Sequence, residues 1–364
     1  MIAHVPPPAT TASIYRDFLQ ALADEGFAGD ISARYADRVV LSTDNSLYQR
    51  LPQAVVFPRH AADVALLARL AAQPPHRRIV LTPRGGGTGT NAQSLTDGIV
   101  VDLSRHMNRI LHVDAARRRV RVEAGVVKDQ LNAALKPHGL FFAPELSTSN
   151  RATIGGMIAT DASGQGSCTY GKTRDHVLAL DCILLGGERF ESQALDPAEL
   201  HARQARTDRV GEVHRCADGI ARTHGALIEA KFPRLNRCLT GYDLAHLREP
   251  DGRFNLNSVL CGAEGSLGFV VEAELNVLPI PRYAVLVNIR YASFMDALRD
   301  AQALMVHRPL SIETVDSKVL LLAMQDIVWA QVEAYFPQPP APRTRAASTS
   351  WNSAATTRAK STRA

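Results

Sequence analysis

Apolar and polar positions alternate along this chain in short blocks that switch between helical and strand periods. Ile14, Phe18, Leu19 and Leu22 fall on one helical face, so residues 1–50 read as a helical leader. From residue 51 the pattern becomes strand, helix, strand: Ala54 to Phe57, an amphipathic Val64 to Ala72, then the apolar run Ile79 to Leu81. Ile99 to Val101 is again apolar and β-branched, and Arg119 to Ala124 alternates with period two, as a half-exposed strand does. Val127 to Leu135 predicts a short helix that Pro137 and Gly139 stop; Val177 to Leu185 predicts a strand, and residues 196–230 a helical excursion. Ala284 to Ile289, Phe294 to Met305 and Ser311 to Val315 then predict strand, helix, strand. With 364 residues there is room for two subdomains and an appendage.

Three small-residue segments interrupt this pattern. The first, Pro83 to Gln93, carries Gly85, Gly86, Gly87 and Gly89 among Thr88, Thr90 and Asn91, directly after an apolar run. Such a loop offers bare backbone amides with no Cβ in the way, which suits the oxygens of a pyrophosphate. It is not a Rossmann fingerprint, because the chain returns to a strand at Ile99 where a helix is required. The second, Pro144 to Gly164, contains Gly155 and Gly156 among hydroxyl and small side chains, and would let a flat ring lie close to the backbone. The third, Gly262 to Val271, is a glycine-spaced turn running into a strand. A fourth stretch, Gly166 to Thr173, matches the P-loop pattern letter for letter, yet small polar residues precede it and a strand pattern follows. A P-loop nucleotide-binding protein is therefore the weakest of the functional readings.

The order of these motifs, with Thr240 to Leu244 between the second and third glycine segments, resembles the FAD-binding domain of the vanillyl-alcohol-oxidase/PCMH superfamily. Within it the chain is most similar to the D-2-hydroxyacid dehydrogenases, which act on D-lactate, glycolate and D-2-hydroxyglutarate. Gly29 to Ser32 and Thr43 to Gln49 resemble the large D-2-hydroxyglutarate type, which carries a C-terminal iron–sulfur region. The resemblance implies an α+β, PCMH-type FAD-binding fold of two α/β subdomains, followed by the start of a substrate-capping α+β domain. The corresponding ranges are 51–283 for the FAD-binding domain, with lobes about 51–164 and 165–283, and 284–336 for an incomplete cap.

The resemblance also assigns positions. Arg84, Gly85, Gly86, Gly87, Thr88, Gly89, Thr90 and Asn91 would hold the FAD pyrophosphate. Ser149, Thr153, Gly155, Gly156, Thr160 and Gly164 would border the pyrophosphate and the isoalloxazine, and Gly262, Glu264, Gly265 and Gly268 would lie near the adenosine end. Pro144 and Val270, at the edges of these segments, complete the cofactor-binding set. No histidine lies between Pro83 and Gln93, so the FAD is expected to be non-covalent unless His106 or another residue substitutes. The implied substrate is a small D-2-hydroxy acid, and the implied electron acceptor a quinone, a cytochrome or an iron–sulfur protein. No catalytic base is named.

Charge changes the picture only at one end. The chain has 41 basic and 36 acidic residues, but residues 337–364 hold five of the basic and none of the acidic ones, leaving 36 against 36 in residues 1–336. The formal basicity belongs to the tail, and the rest shows no nucleic-acid signature. Cys168, Cys182, Cys216, Cys238 and Cys261 are scattered without a C-x-x-C, which argues against a cluster or zinc site here. His307 is the only histidine after residue 283, so the divalent metal and iron–sulfur cluster of the family are expected only in a part this chain lacks. No apolar stretch reaches membrane-spanning length and no signal-peptide core opens the chain; a cytoplasmic protein, with room for peripheral contact at the inner membrane, is expected.

Residues 337–364 lose all periodicity and turn to Pro, Arg, Ala, Ser and Thr. Read as GC-rich codons, Thr356 to Thr362 shifted by one base spell an acidic, ordinary surface sequence. The expectation is a disordered, frameshifted tail on a truncated enzyme; a natural disordered tail is the alternative. The functional reading is thus an FAD-dependent oxidoreductase fragment, with an FAD-binding fragment or subunit lacking independent activity as its alternative. His176, Tyr242, Asn236, Lys172 and Arg174 stand near the motifs, and structural or solvated roles are the default for each.

Overall fold

A computed structural model of the chain describes residues 9–235, 241–336 and 354–360. They form two units, one comprising the chain to Gly164 with Gly171–Pro279, the other Gln165–Tyr170 with the chain from Ile280 onward.

The first unit contains twelve of the described strands: β1 (Asp30–Ser32), β2 (Ala54–Phe57), β3 (Leu81–Arg84), β4 (Ile99–Asp102), β5 (Ile110–Asp114), β6 (Arg119–Glu123), β7 (Leu140–Phe141), β8 (Val177–Ile183), β9 (Arg189–Leu195), β10 (Phe254–Asn255), β11 (Phe269–Asn276) and β12 (Leu278–Pro279). A four-stranded sheet runs β1-β2-β4-β3, with β2 and β3 parallel to β4 and β1 antiparallel at the edge. β2 and β4 are buried along their whole length, as parallel strands covered on both faces are. Helix Ser13–Asp24 buries Phe18, Leu19 and Leu22 in the same core as Val64 and Leu67 of helix Ala61–Ala71. From Ser13 onward the expected leader is therefore built into this layer, and β1 extends its sheet.

The second sheet is antiparallel throughout, in the order β10-β9-β8-β11-β6-β5. β11 alternates buried and half-buried residues along its length, the mark of one covered face. Val120, Val122, Leu180 and Leu275 pack inward with Leu131, Ile154, Met157 and Phe254. The outer face carries ion pairs instead: Arg121 reaches Glu272 at 2.8 Å and Glu191 at 3.2 Å, and Arg189 pairs with Asp181. Ala124, Ile183, Phe269 and Val271 belong to the core under the parallel sheet, so the two sheets share one junction. The four-stranded sheet uses strands up to residue 102 and the six-stranded sheet strands from residue 110 onward. β6 pairs with β11, a partner about 150 residues away, and β5 pairs with β6.

The helical excursion appears as Pro197–Gln204, started by a capping box of Asp196 and Glu199, and Arg209–Lys231, capped by Asp208. The strand foreseen at Ile79 begins two residues later and includes Pro83. Its place at the sheet edge explains the tolerance, since a strand with one neighbour can spare an amide donor.

In the second unit β13 (Ala284–Arg290), helix Phe294–Leu304 and β14 (Ser311–Val315) reproduce the predicted strand, helix, strand, and β15 (Ala354–Lys360) lies antiparallel between the two strands. Part of the segment foreseen as disordered thus forms a strand, because β13 and β14 leave facing edges to which it pairs. Residues 337–353 and 361–364 of that segment lie outside the described residues. Among the described residues no helix is long and apolar enough to cross a membrane.

Candidate cofactor site

The three glycine segments meet on one cleft of the first unit. β3 ends at Arg84, and the loop that follows is shaped by what it passes. A Cβ on Gly86 would overlap the carbonyl oxygen of Arg151, and one on Gly85 would overlap Thr153 Oγ1, so only glycine lets the first loop lie on the second segment. Among the described residues, no protein acceptor takes the amides of the half-buried Gly87, Thr88 and Gly89. Buried or half-buried amides are normally paired. A run of open donors beside a cleft is therefore the strongest chemical feature of this molecule.

Arg84 lines the cleft and also braces the loop. Its buried guanidinium donates to the carbonyl of Thr43 at 2.7 Å and lies 3.4 Å from both Leu41 O and Ser94 Oγ. Burial pulls it below the usual arginine range, against the opposing pull of Asp102 and Asp44. The side chain ties residues 41–44 to the base of the loop while lining the cleft.

The second wall is helix Ile154–Ala159, with Thr153 as N-cap. Its first amides are already used: Ile154 donates to Val126 O (2.8 Å), Gly155 to Ala124 O (2.7 Å) and Gly156 to Thr153 Oγ1 (3.2 Å). This wall offers flatness rather than donors. Gly155 presses on Ala124, to whose Cβ an added methyl would stand at 2.8 Å. The third wall docks on the end of the same helix, where Gly262 N donates to Ile158 O and Glu264 N to Ala159 O. Gly265, at φ +79°, abuts Pro83. Glu264 Oε1 accepts from Gln93 Nε2 at 3.1 Å, a link between the third wall and the first loop across 171 residues of sequence.

Of the sequence-assigned residues, Arg84, Gly85, Gly86, Gly87, Thr88, Gly89, Thr153, Gly155, Gly156, Thr160, Glu264, Gly265, Gly268 and Val270 line the cleft. Thr90, Asn91, Pro144, Ser149, Gly164 and Gly262 do not. Gly164 serves chain crossing instead, since a Cβ there would overlap the carbonyl of Glu145. The cleft also recruits Gln93, Leu146, Ala152 and Met157 from within the first two segments, and Leu103, Ala124, Cys182 and Leu260, which no motif announced. Cys182 is buried, and desolvation raises its thiol far above the ordinary range, so it is an apolar floor and not a nucleophile.

The residues flagged beside the motifs resolve mostly into structure. His176 is buried, with Nδ1 2.5 Å from Asn276 Oδ1 and its ring edge-on to Phe142. Tyr242 bonds Ser266 Oγ at 2.7 Å, and His106 faces Asp30 at 2.8 Å, off the cleft lining. Lys172 and Arg174 are not solvated: Lys172 Nζ stands 2.7 Å from Asp161, and Arg174 pairs with Asp243. With its lysine so engaged and β8 in place of the required helix, the P-loop reading fails. Asn236 and Cys238 lie outside the described residues. Among the described residues no group of three or more metal-ligating side chains occurs.

Open amides on a glycine loop and a Cβ-poor wall fit the two halves of a flavin nucleotide, its pyrophosphate and its flat ring. Fold and site together define a flavin-nucleotide-binding α+β domain. Residues 52–192 match the family described as FAD binding domain. It is 71% identical over 340 residues to a D-2-hydroxyglutarate dehydrogenase of Pseudomonas putida, a match covering 93% of this chain and 34% of that protein. It is 53% identical to the D-2-hydroxyglutarate dehydrogenase of Escherichia coli, over 91% of this chain and 33% of that one. A glycolate oxidase subunit of Bacillus subtilis matches at 27% identity over 79% of this chain and 50% of its own. The chain thus spans about a third of the length of its dehydrogenase relatives. Among solved structures, alkyldihydroxyacetonephosphate synthase shares the fold with a TM-score of 0.65 at 17% identity, over 99% of this chain and 58% of that one.

Proposed function

We propose that this chain is the flavin-binding part of an FAD-dependent dehydrogenase that oxidises a D-2-hydroxy acid, D-2-hydroxyglutarate first among them, to the 2-oxo acid. The observation that carries the reading is the run of open, half-buried amides from Gly87 to Gly89 beside a wall built from Gly155 and Gly156. When bound, FAD supplies the acceptor for the hydride that leaves C2 of the hydroxy acid. The chain's own residues bind and orient. The loop amides balance the pyrophosphate charge, and Thr153 with the paired glycines lets the ring lie flat. Leu146, Met157, Leu260 and the protonated Cys182 keep water from the inner face. Glu264 is the one carboxylate among the described lining residues and is already held by Gln93, so it is a turn-former and not a base.

The absence of histidine from the loop, and the engagement of His106 with Asp30, favour FAD held without a covalent bond. Electrons would leave to a quinone, a cytochrome or an iron–sulfur partner, in the cytoplasm or at the inner membrane's surface. The test is the visible flavin spectrum of the loaded chain on anaerobic addition of D-2-hydroxyglutarate, D-lactate or glycolate. Bleaching by the first acid at the lowest concentration is the expected result. A bound flavin that stays oxidised with all three acids would refute oxidation by this chain. It would favour the second reading, an FAD-binding fragment or subunit without independent activity, for which the one-third span relative to its dehydrogenase relatives speaks.

A further inference from the structure

The end of the P-loop-like stretch has another use. Lys172 Nζ lies 2.7 Å from Asp161 Oδ2, with the two side chains only 4% and 8% exposed. The other Asp161 oxygen accepts the Arg174 amide at 2.9 Å, while Thr173 sends its amide and its hydroxyl to the carbonyl of Ala162, at 3.0 and 2.7 Å. Asp161 sits just beyond Thr160, the C-cap of helix Ile154–Ala159, at φ +44°. The amides of Asp161 and Ala162 close back on Ile158 and Met157, the paired ending that glycine usually completes. An aspartate there is strained and persists because its surroundings over-determine it.

The consequence falls on the cleft. Thr160 and Ala162, either side of Asp161, both line it. The same helix end receives the third wall through Ile158 and Ala159. One buried ion pair therefore stands at the junction of two of the three walls. We infer that Asp161 and Lys172 are a positioning pair for the flavin nucleotide, holding Thr160 and Ala162 where the cofactor meets them. The inference rests on the flavin reading above. A merely structural pair would affect stability and leave cofactor affinity alone.

The test compares FAD affinity, the visible circular dichroism of bound flavin, and thermal unfolding of the flavin-free protein across variants. Lys172→Met leaves a buried carboxylate unpaired and is the variant most at risk of failing to fold. The double variant Asp161→Gly with Lys172→Met removes both charges and gives the left-handed position the residue it favours, so it is expected to keep the wild-type melting temperature. Its FAD Kd is expected to rise by about tenfold or more, with an altered flavin circular dichroism signal. Lys172→Arg retains the charge and is expected to return most of the affinity. A double variant that binds FAD as tightly as wild type, with an unchanged signal, overturns the inference. So does an affinity loss in the double variant matched by an equal loss in Lys172→Arg. A folded wild-type chain that takes up no FAD overturns the flavin reading itself, and this inference with it.

Discussion

Placing one methyl group at two glycines separates steric demand in the cleft from helix propensity. In Gly155→Ala the new Cβ would stand 2.8 Å from Ala124 Cβ and 2.9 Å from Ala124 O, both fixed parts of the facing backbone segment. Carbon pairs settle at about 3.5–4.0 Å, so helix Ile154–Ala159 must retreat by about 0.7 Å or more. Overpacking of this kind costs about 1–3 kcal/mol, against which alanine's better helix propensity returns about 1 kcal/mol. The same substitution at Gly219, inside helix Arg209–Lys231, meets nothing within 4 Å. There only the propensity acts, and stability rises by up to about 1 kcal/mol. Because Gly155 and Ala124 both line the cleft, the retreat at the first site also moves the cofactor wall. A displacement worth about 1–2 kcal/mol in the bound state weakens FAD by about 5- to 30-fold. Thermal unfolding and FAD titration of both variants measure the pair. Gly155→Ala is expected to lower the melting temperature and weaken FAD, and Gly219→Ala to raise the melting temperature without touching FAD. Equal FAD affinity in the two variants would refute the claim that this helix forms a tightly packed wall of the site.

Other outcomes follow from single contacts. Gln93→Ala removes the link to Glu264 across the cleft; a hydrogen bond to a charged group at an exposed site is worth about 1 kcal/mol, so FAD release is expected to quicken by about fivefold in stopped flow, with little change in melting temperature. Burial lowers the pKa of His214, whose Nδ1 donates to Val210 O at 2.7 Å. The unfolded chain then binds the proton more readily, so this histidine lowers stability as pH falls below the ordinary value of about 6.5, and the effect levels off below its folded value. Denaturation from pH 8 to 5 is expected to show a shallower fall in His214→Leu than in wild type. Cys168 and Cys216 are exposed while Cys182 and Cys261 are buried with thiols raised by desolvation. A thiol reagent on the native chain is expected to label the first two and to reach Cys182 and Cys261 only on unfolding, as peptide mapping would show.

The walls of the site were legible because their chemistry is the absence of side chains. Gly86 and Gly155 announce a close approach in the sequence itself, and three such segments in order carry the resemblance to a flavin-binding domain. What they approach is not written nearby. Ala124 meets Gly155 from the residue just after β6, and Cys182 enters from β8, residues that read only as ordinary strand positions. Gln93 reads as a loop residue until the fold brings it to Glu264. Gly164 and Gly262 show the converse, glycines needed for chain crossing and turn geometry close to the cleft but not on it. Lys172 was misleading for a different reason. Its motif spacing is that of a phosphate-binding lysine, and only the burial of Asp161 beside it shows where its charge is spent. The pairing of β6 with β11, about 150 residues away, is likewise something local periodicity does not reveal.

The most direct measurement is equilibrium uptake of FAD by the purified, folded chain and by Gly86→Ala. One FAD per wild-type chain, retained through desalting, is expected, together with a large loss of affinity in the variant, whose new Cβ would overlap the carbonyl of Arg151 beneath the loop. A folded wild-type chain that takes up no FAD, or a variant that binds as well as wild type, would contradict the account.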